Sequence, residues 1–299
     1  MADLADLFPG FESRTIATEE GNVFCRIGGS GKPLVLLHGF PQTHVMWHRI
    51  APALAEDHTV IAMDLRGYGW SSAPAGSPDH ETYSKRAMGR DVLRVIDELG
   101  FTRAAMVGHD RGARVGYRLA LDHPGRIERL AILDIIPTLA MWERMDAKRA
   151  MQVYHWSFLA QAAPMPERLI GQAPVEWLEH TLASWTATKD LTAFDKRALR
   201  HYRAFFNEPS RIHATCEDYR AGATLDSEAD AADRAAGRVI SCPTLILWGE
   251  AGIPAAGASP LDVWRDFAPE AQGEAIASGH FLAEENPQAT LAALRRFLA

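Results

Sequence analysis

Four short apolar runs in the first half of the chain, Pro33 to Leu37, Thr59 to Met63, Ala104 to Val107 and Leu130 to Leu133, each end in a polar or glycine-bearing loop. Helical patterns separate them. Tyr83 to Leu99 has helical periodicity and stops at Gly100, and Arg111 to Leu121 is closed by Pro124. Unbroken apolar runs suit strands buried on both faces, and their alternation with helices predicts an α/β chain built on a mostly parallel sheet with crossover helices. Arg14 to Thr18 and Asn22 to Ile27, parted by Glu20-Gly21, add an opening antiparallel hairpin.

From Thr138 to Gly237 the pattern changes to helical segments rich in aromatics and histidine, including Tyr154-His155-Trp156 and Trp185. Strand grammar returns at Pro243 to Trp248 and Glu274 to Ala277, and Asn286-Pro287 supplies an N-cap and a first-turn proline for a final helix. The expected organisation is a core of 1–137 and 238–299, interrupted by a helical cap of 138–237. A length of 299 residues suits one such domain with an insertion.

Hydrophobic residues make up 47% and charged residues 23%, enough apolar chain for a sizeable core. The formal net charge of −7 argues against nucleic acid or an anionic membrane surface as a partner, because both need an accessible basic face. Cys25, Cys216 and Cys242 are far apart and form no CxxC pair, which favours a reducing compartment. The acidic start and the lack of a run near 18 apolar residues point to the cytoplasm.

Val107-Gly108-His109-Asp110-Arg111-Gly112 follows a strand and opens a helix, with glycines two before and two after Asp110. This is the pattern of a sharp turn that exposes a nucleophile. A carboxylate there suits attack on a saturated carbon bearing a leaving group, since the resulting ester can be hydrolysed in a second step. His38-Gly39-Phe40-Pro41 follows the first core strand, and Ser278-Gly279-His280-Phe281 follows the last.

With these segments the chain resembles the α/β-hydrolase family over nearly its whole length, in the branch with an Asp nucleophile: epoxide hydrolases, haloalkane dehalogenases and haloacetate dehalogenases. The resemblance implies His280 as general base. The loop after Trp248 usually carries the third acid, but here Ile253 stands where that Asp would often fall. Asp134, ending the run Leu130 to Leu133, is therefore expected to orient His280, with Glu250 as the alternative. His109, Asp64 and Glu250 are otherwise expected to be structural.

Epoxide hydrolases and haloalkane dehalogenases commonly carry Trp after the nucleophile, whereas Arg111 stands here and Arg114 lies one turn later. Residues at i and i+3 share a helix face, so both guanidiniums are expected to point to one mouth and hold a substrate carboxylate. Gly108 to Arg114 and Tyr154 to Gln161 are most similar to the motifs of fluoroacetate (haloacetate) dehalogenases. That resemblance implies His155, Trp156 and Tyr219 as halide donors, and it suggests a homodimer.

The expected reaction has two steps. Asp110 displaces halide from a 2-haloacid, then water activated by His280 hydrolyses the ester while the backbone N–H groups of Phe40 and Arg111 stabilise the oxyanion. The partners are a small haloacid and water, and no metal or organic cofactor is implied. Two alternatives stand beside this reading. One is an epoxide hydrolase, drawing its acid from Tyr154, Tyr202 or Tyr219, and the other is a non-catalytic ligand receptor on the same fold.

Overall fold

The computed structural model describes residues 4–252, 254 and 259–299. Eight strands form one sheet: β1 (Glu12–Thr18), β2 (Gly21–Gly28), β3 (Lys32–Leu37), β4 (His58–Met63), β5 (Ala104–His109), β6 (Ile127–Leu133), β7 (Thr244–Gly249) and β8 (Gln272–Ile276). Their spatial order is β1-β2-β4-β3-β5-β6-β7-β8. The opening hairpin pairs antiparallel, β2 pairs antiparallel with β4, and every later pairing is parallel. Parallel strands need both faces covered, and β5 accordingly shows no exposed position.

Helices Lys85–Glu98 and Arg111–Asp122 lie between core strands in the sequence, and Pro287–Leu298 closes the chain. The first starts two residues later than its periodicity suggests. Ser84 accepts the Ala87 N–H at 3.1 Å and fixes the N-terminus, while Glu81–Tyr83 turns as a separate 3-10 segment. At the other end, Asn286 caps the Ala289 N–H at 3.2 Å, with Pro287 in the first turn as expected.

Between β6 and β7 the chain forms eight helices, from Thr138–Glu143 to Leu225–Ala235, and no strand. This segment leaves at the C-terminal end of β6 and returns before β7, so it sits over the strand ends where Asp110, Asp134 and His280 lie. Among the described residues, no helix is long and apolar enough to cross a membrane. Cys25 and Cys216 are buried, Cys242 is partly so, and all three are free thiols.

Candidate active site

β5 ends at His109 and the next helix begins at Arg111, leaving Asp110 alone to make the turn. Its backbone takes φ 43° and ψ −113°, a region that L-residues rarely adopt and that persists only where the surroundings enforce it. Gly112 is the enforcing contact. A Cβ there would stand 2.4 Å from the carbonyl oxygen of His38, so only glycine lets the helix approach β3 this closely. The turn aims the Asp110 carboxylate at the His38-Gly39-Phe40 loop, where the Phe40 N–H donates to Oδ2 at 3.0 Å.

His280 follows β8, and its Nδ1 lies 2.6 Å from Oδ2 of Asp134. Asp134 sits at the end of β6 with φ 55°, and its Oδ1 accepts the Gly249 N–H at 2.8 Å. Glu250 is exposed at the surface, whereas Asp134 is the acid in contact with the imidazole. Ile253 lies outside the described residues. Nε2 of His280 is buried with no hydrogen-bond partner among the described residues, leaving it free for a small molecule.

The charges at this junction are coupled. Burial opposes ionisation of Asp110, but His280, Arg111 and Arg114 outweigh it and hold the carboxyl below its usual range. Burial likewise opposes protonation of His280, yet the bond to Asp134 and the charges of Asp134 and Asp110 raise its pKa above the ordinary histidine value. His109 donates from Nε2 to the carbonyl of His280 at 2.8 Å, and burial pushes its pKa down to about 3. Asp64 accepts from the His44 and Trp70 N–H groups, consistent with a structural part.

A small cavity of about 20 Å³ opens on Asp110, Arg114, His155, Trp156, Trp185 and His280. That is close to the space a single water needs, so a larger guest enters only with movement of the walls. Ile135, Ile136 and Met141 supply its apolar side.

The two arginines differ more than their spacing suggests. Arg111 turns its guanidinium to Asp218, with Nη2 2.6 Å and Nε 3.1 Å from Oδ1. Lys85 and Tyr68 share that carboxylate, the phenol at 3.0 Å. Arg114 has no carboxylate partner among the described residues: Nη1 donates to the Ile136 carbonyl at 3.1 Å and to Thr138 Oγ1 at 2.9 Å, while Nε has no partner. Only Arg114 lines the cavity. The expectation that both point to one mouth thus needs correcting, because a buried acid 107 residues away claims most of Arg111.

Trp156 packs beneath both cations, with ring-to-guanidinium distances of 4.6 Å to Arg114 and 5.8 Å to Arg111. Tyr219 lies 4.2 Å from Arg111, and the His155 and Tyr219 rings are 5.6 Å apart. The structure therefore brings His155, Trp156 and Tyr219 together. Nδ1 of His155 is buried and unpartnered, and burial lowers its pKa to about 3, so the ring is neutral at physiological pH. The Trp156 and Tyr219 side chains make no hydrogen bond among the described residues, which leaves an N–H and an O–H for a guest.

The sequence reading missed Asp218, Lys85 and Tyr68 around Arg111, and Met141, Ile135 and Ile136 in the cavity wall. The signal for Asp218 was its place beside Tyr219.

A model of the alpha/beta hydrolase fold matches residues 32–287. The chain belongs to the alpha/beta hydrolase fold family. Within that family it is 45% identical to a fluoroacetate dehalogenase from Burkholderia sp, over 98% of this chain and 95% of that protein. Its structure is similar to that of a protein from Nostoc sp PCC 7120 provisionally called an alpha/beta hydrolase (49% identity, TM-score 0.94, 97% and 98% of the two chains). A protein from Pseudomonas aeruginosa, provisionally called an epoxide hydrolase, is 46% identical with a TM-score of 0.91 over 98% and 97% of the chains.

Proposed function

We propose that this alpha/beta hydrolase is a haloacetate dehalogenase, converting fluoroacetate or a close 2-haloacid to the hydroxyacid and halide, with residues 138–237 acting as its cap. One observation carries the reading: Arg114, a buried guanidinium without a carboxylate partner among the described residues, faces the same small cavity as the Asp110 carboxylate. A buried cation without an anion is costly, and a substrate carboxylate supplies the missing charge.

Oδ1 of Asp110 attacks the α-carbon, the carbon–halogen bond breaks, and His155, Trp156 and Tyr219 donate to the departing halide. His280, oriented by Asp134, then takes a proton from water through Nε2 as the water attacks Cγ of Asp110. The tetrahedral oxyanion forms on Oδ2, the oxygen that already accepts the Phe40 N–H, and the Arg111 N–H is its second donor. On collapse the His280 proton passes to the leaving hydroxyacid oxygen, and the Asp110 carboxyl, which keeps the second proton of the water, gives it up to solvent to restore the carboxylate.

Purified protein incubated with fluoroacetate, and separately with chloroacetate, tests the reading by ion-selective detection of halide, with Asp110→Asn alongside. Halide released only by the unaltered enzyme supports it. Turnover of a neutral epoxide without halide release would replace it with the epoxide hydrolase reading, which the Pseudomonas aeruginosa relative favours. The site counts against that reading. Tyr202 is committed to Gln42 and Glu284, and Tyr154 is 41% exposed, which leaves Tyr219 without a partner phenol for the epoxide oxygen.

The three free cysteines favour the cytoplasm. Exposed Met151, Met165 and Leu169 on the cap favour a homodimer, to be checked by light scattering of the eluted protein.

A further inference from the structure

The carboxylate of Glu285, five residues after His280, accepts three backbone N–H groups. Oε2 takes Gly279 and Ala187, each at 2.8 Å, and Oε1 takes Phe281 at 2.9 Å. Gly279 and Phe281 are the residues on either side of His280, so a single side chain grips the base's backbone from both flanks. Ala187 belongs to the cap, and the cap answers with the Trp185 carbonyl, which accepts the His280 N–H at 2.9 Å. The approach is close: a Cβ on Gly279 would lie 2.5 Å from both the Ala187 nitrogen and the Trp185 oxygen.

We infer that Glu285 is a positioning residue for the hydrolytic half of the reaction, holding His280 against Asp134 and tying the base to cap segment Trp185 to Ala187. This rests on the reading of His280 as general base. The loop around His280 has no regular ladder of its own, since β8 ends at Ile276 and the next helix starts at Leu282. Backbone N–H groups here would otherwise go to water, and the imidazole would swing with the loop. Three charge-assisted bonds to one carboxylate replace that freedom with a fixed geometry. Asp110 sits on a separate turn with its own supports, so its attack on substrate does not depend on this grip.

Glu285→Gln keeps the size but offers one acceptor oxygen and presents an NH₂ to N–H groups. Rapid-quench intact-mass measurements with chloroacetate separate ester formation from ester hydrolysis, and the ester formed in the first turnover counts the folded, active enzyme. The expected result is hydrolysis slowed roughly 10- to 100-fold with ester formation within about threefold of the unaltered enzyme, so that ester accumulates. Equal losses in both steps, or unchanged hydrolysis, would overturn the assignment. Should the amide not fold, Glu285→Asp, which keeps the charge but withdraws it by one methylene, is read in the same way. His280→Asn run in parallel separates the two levels. If it fails to trap ester, the reading of His280 is wrong, whereas trapping by His280→Asn without slowing by Glu285→Gln removes only the role of Glu285.

Discussion

The Phe40 N–H is bonded to Oδ2 of Asp110 at 3.0 Å, and this one contact distinguishes the two oxygens of the carboxylate. On the proposed mechanism the held oxygen becomes the oxyanion in the second step, leaving Oδ1 for the attack. Asp110→Asn keeps the shape but replaces a carboxylate with a poor nucleophile. Halide release is expected to fall on the order of 10⁴-fold or more, and mass spectrometry after chloroacetate should find only unmodified protein. A covalent adduct in this variant would move the nucleophile elsewhere.

Arg114 should separate charged from neutral substrates. Arg114→Leu removes the cavity's guanidinium, and losing one partner of a buried charged contact typically costs about 2–5 kcal/mol, or roughly 30- to 4,000-fold in kcat/KM. That loss is expected for chloroacetate and not for chloroacetamide. An equal drop for both substrates would make Arg114 a packing residue rather than a carboxylate ligand.

Ester formation removes the negative charge of Asp110, one of the charges that raise the pKa of His280. In the esterified enzyme the imidazole therefore gives up its proton at lower pH than in the free enzyme, which favours the neutral form that a base requires. Asp110, held below the usual carboxylate range, stays ionised into mildly acidic solution. As pH falls, hydrolysis should fail before alkylation does, and quenched samples should carry more ester at pH 5 than at pH 8. The same ester fraction at both values would contradict His280 as the base.

Asp218 pairs with both Arg111 and Lys85 in the interior, where Asp226 also lies 3.5 Å from the Lys85 ammonium, and it accepts the Tyr68 hydroxyl. Asp218→Asn leaves two buried cations without this anion, and breaking such a pair costs about 3–5 kcal/mol. A large fall in the denaturant midpoint is expected, and a midpoint within experimental scatter of the unaltered protein would refute the account.

Asp218 also marks where sequence reasoning stopped. The nucleophile turn was legible because Gly108, Asp110 and Gly112 lie together between a strand and a helix. Asp134 was legible because it directly follows an apolar run that had to be a strand. The spacing of Arg111 and Arg114 correctly put them on one helix, but the direction of a guanidinium depends on partners brought in by the fold. Asp218 arrives from a helix of the segment between β6 and β7, and no local pattern links it to position 111. The cavity wall was hidden for the same reason: Ile135, Ile136 and Met141 carry no chemical signature. Glu285 looked like an ordinary first-turn acid until its carboxylate was seen to hold Gly279, Phe281 and Ala187.

Glu284, next to Glu285, points into the core instead, against Gln42 and Tyr202. Burial drives its pKa up to about 8, despite the opposing hydrogen bond from Tyr202 and the charge of Arg49. An unfolded glutamate titrates near about 4.3. Between those values the folded chain keeps a proton that the unfolded chain has released, so stability is greatest below the lower value and declines as pH rises toward 8. The limiting slope for one such group is about 1.4 kcal/mol per pH unit. Glu284→Gln cannot titrate, and the difference in unfolding free energy between variant and unaltered protein should shift in the variant's favour from pH 5 to pH 8. Taking the difference cancels the histidines and other carboxylates, which titrate in both proteins. Denaturant curves giving the same difference at both pH values would show that Glu284 is already ionised in the fold, with the donors Gln42 and Tyr202 and the charge of Arg49 outweighing its burial.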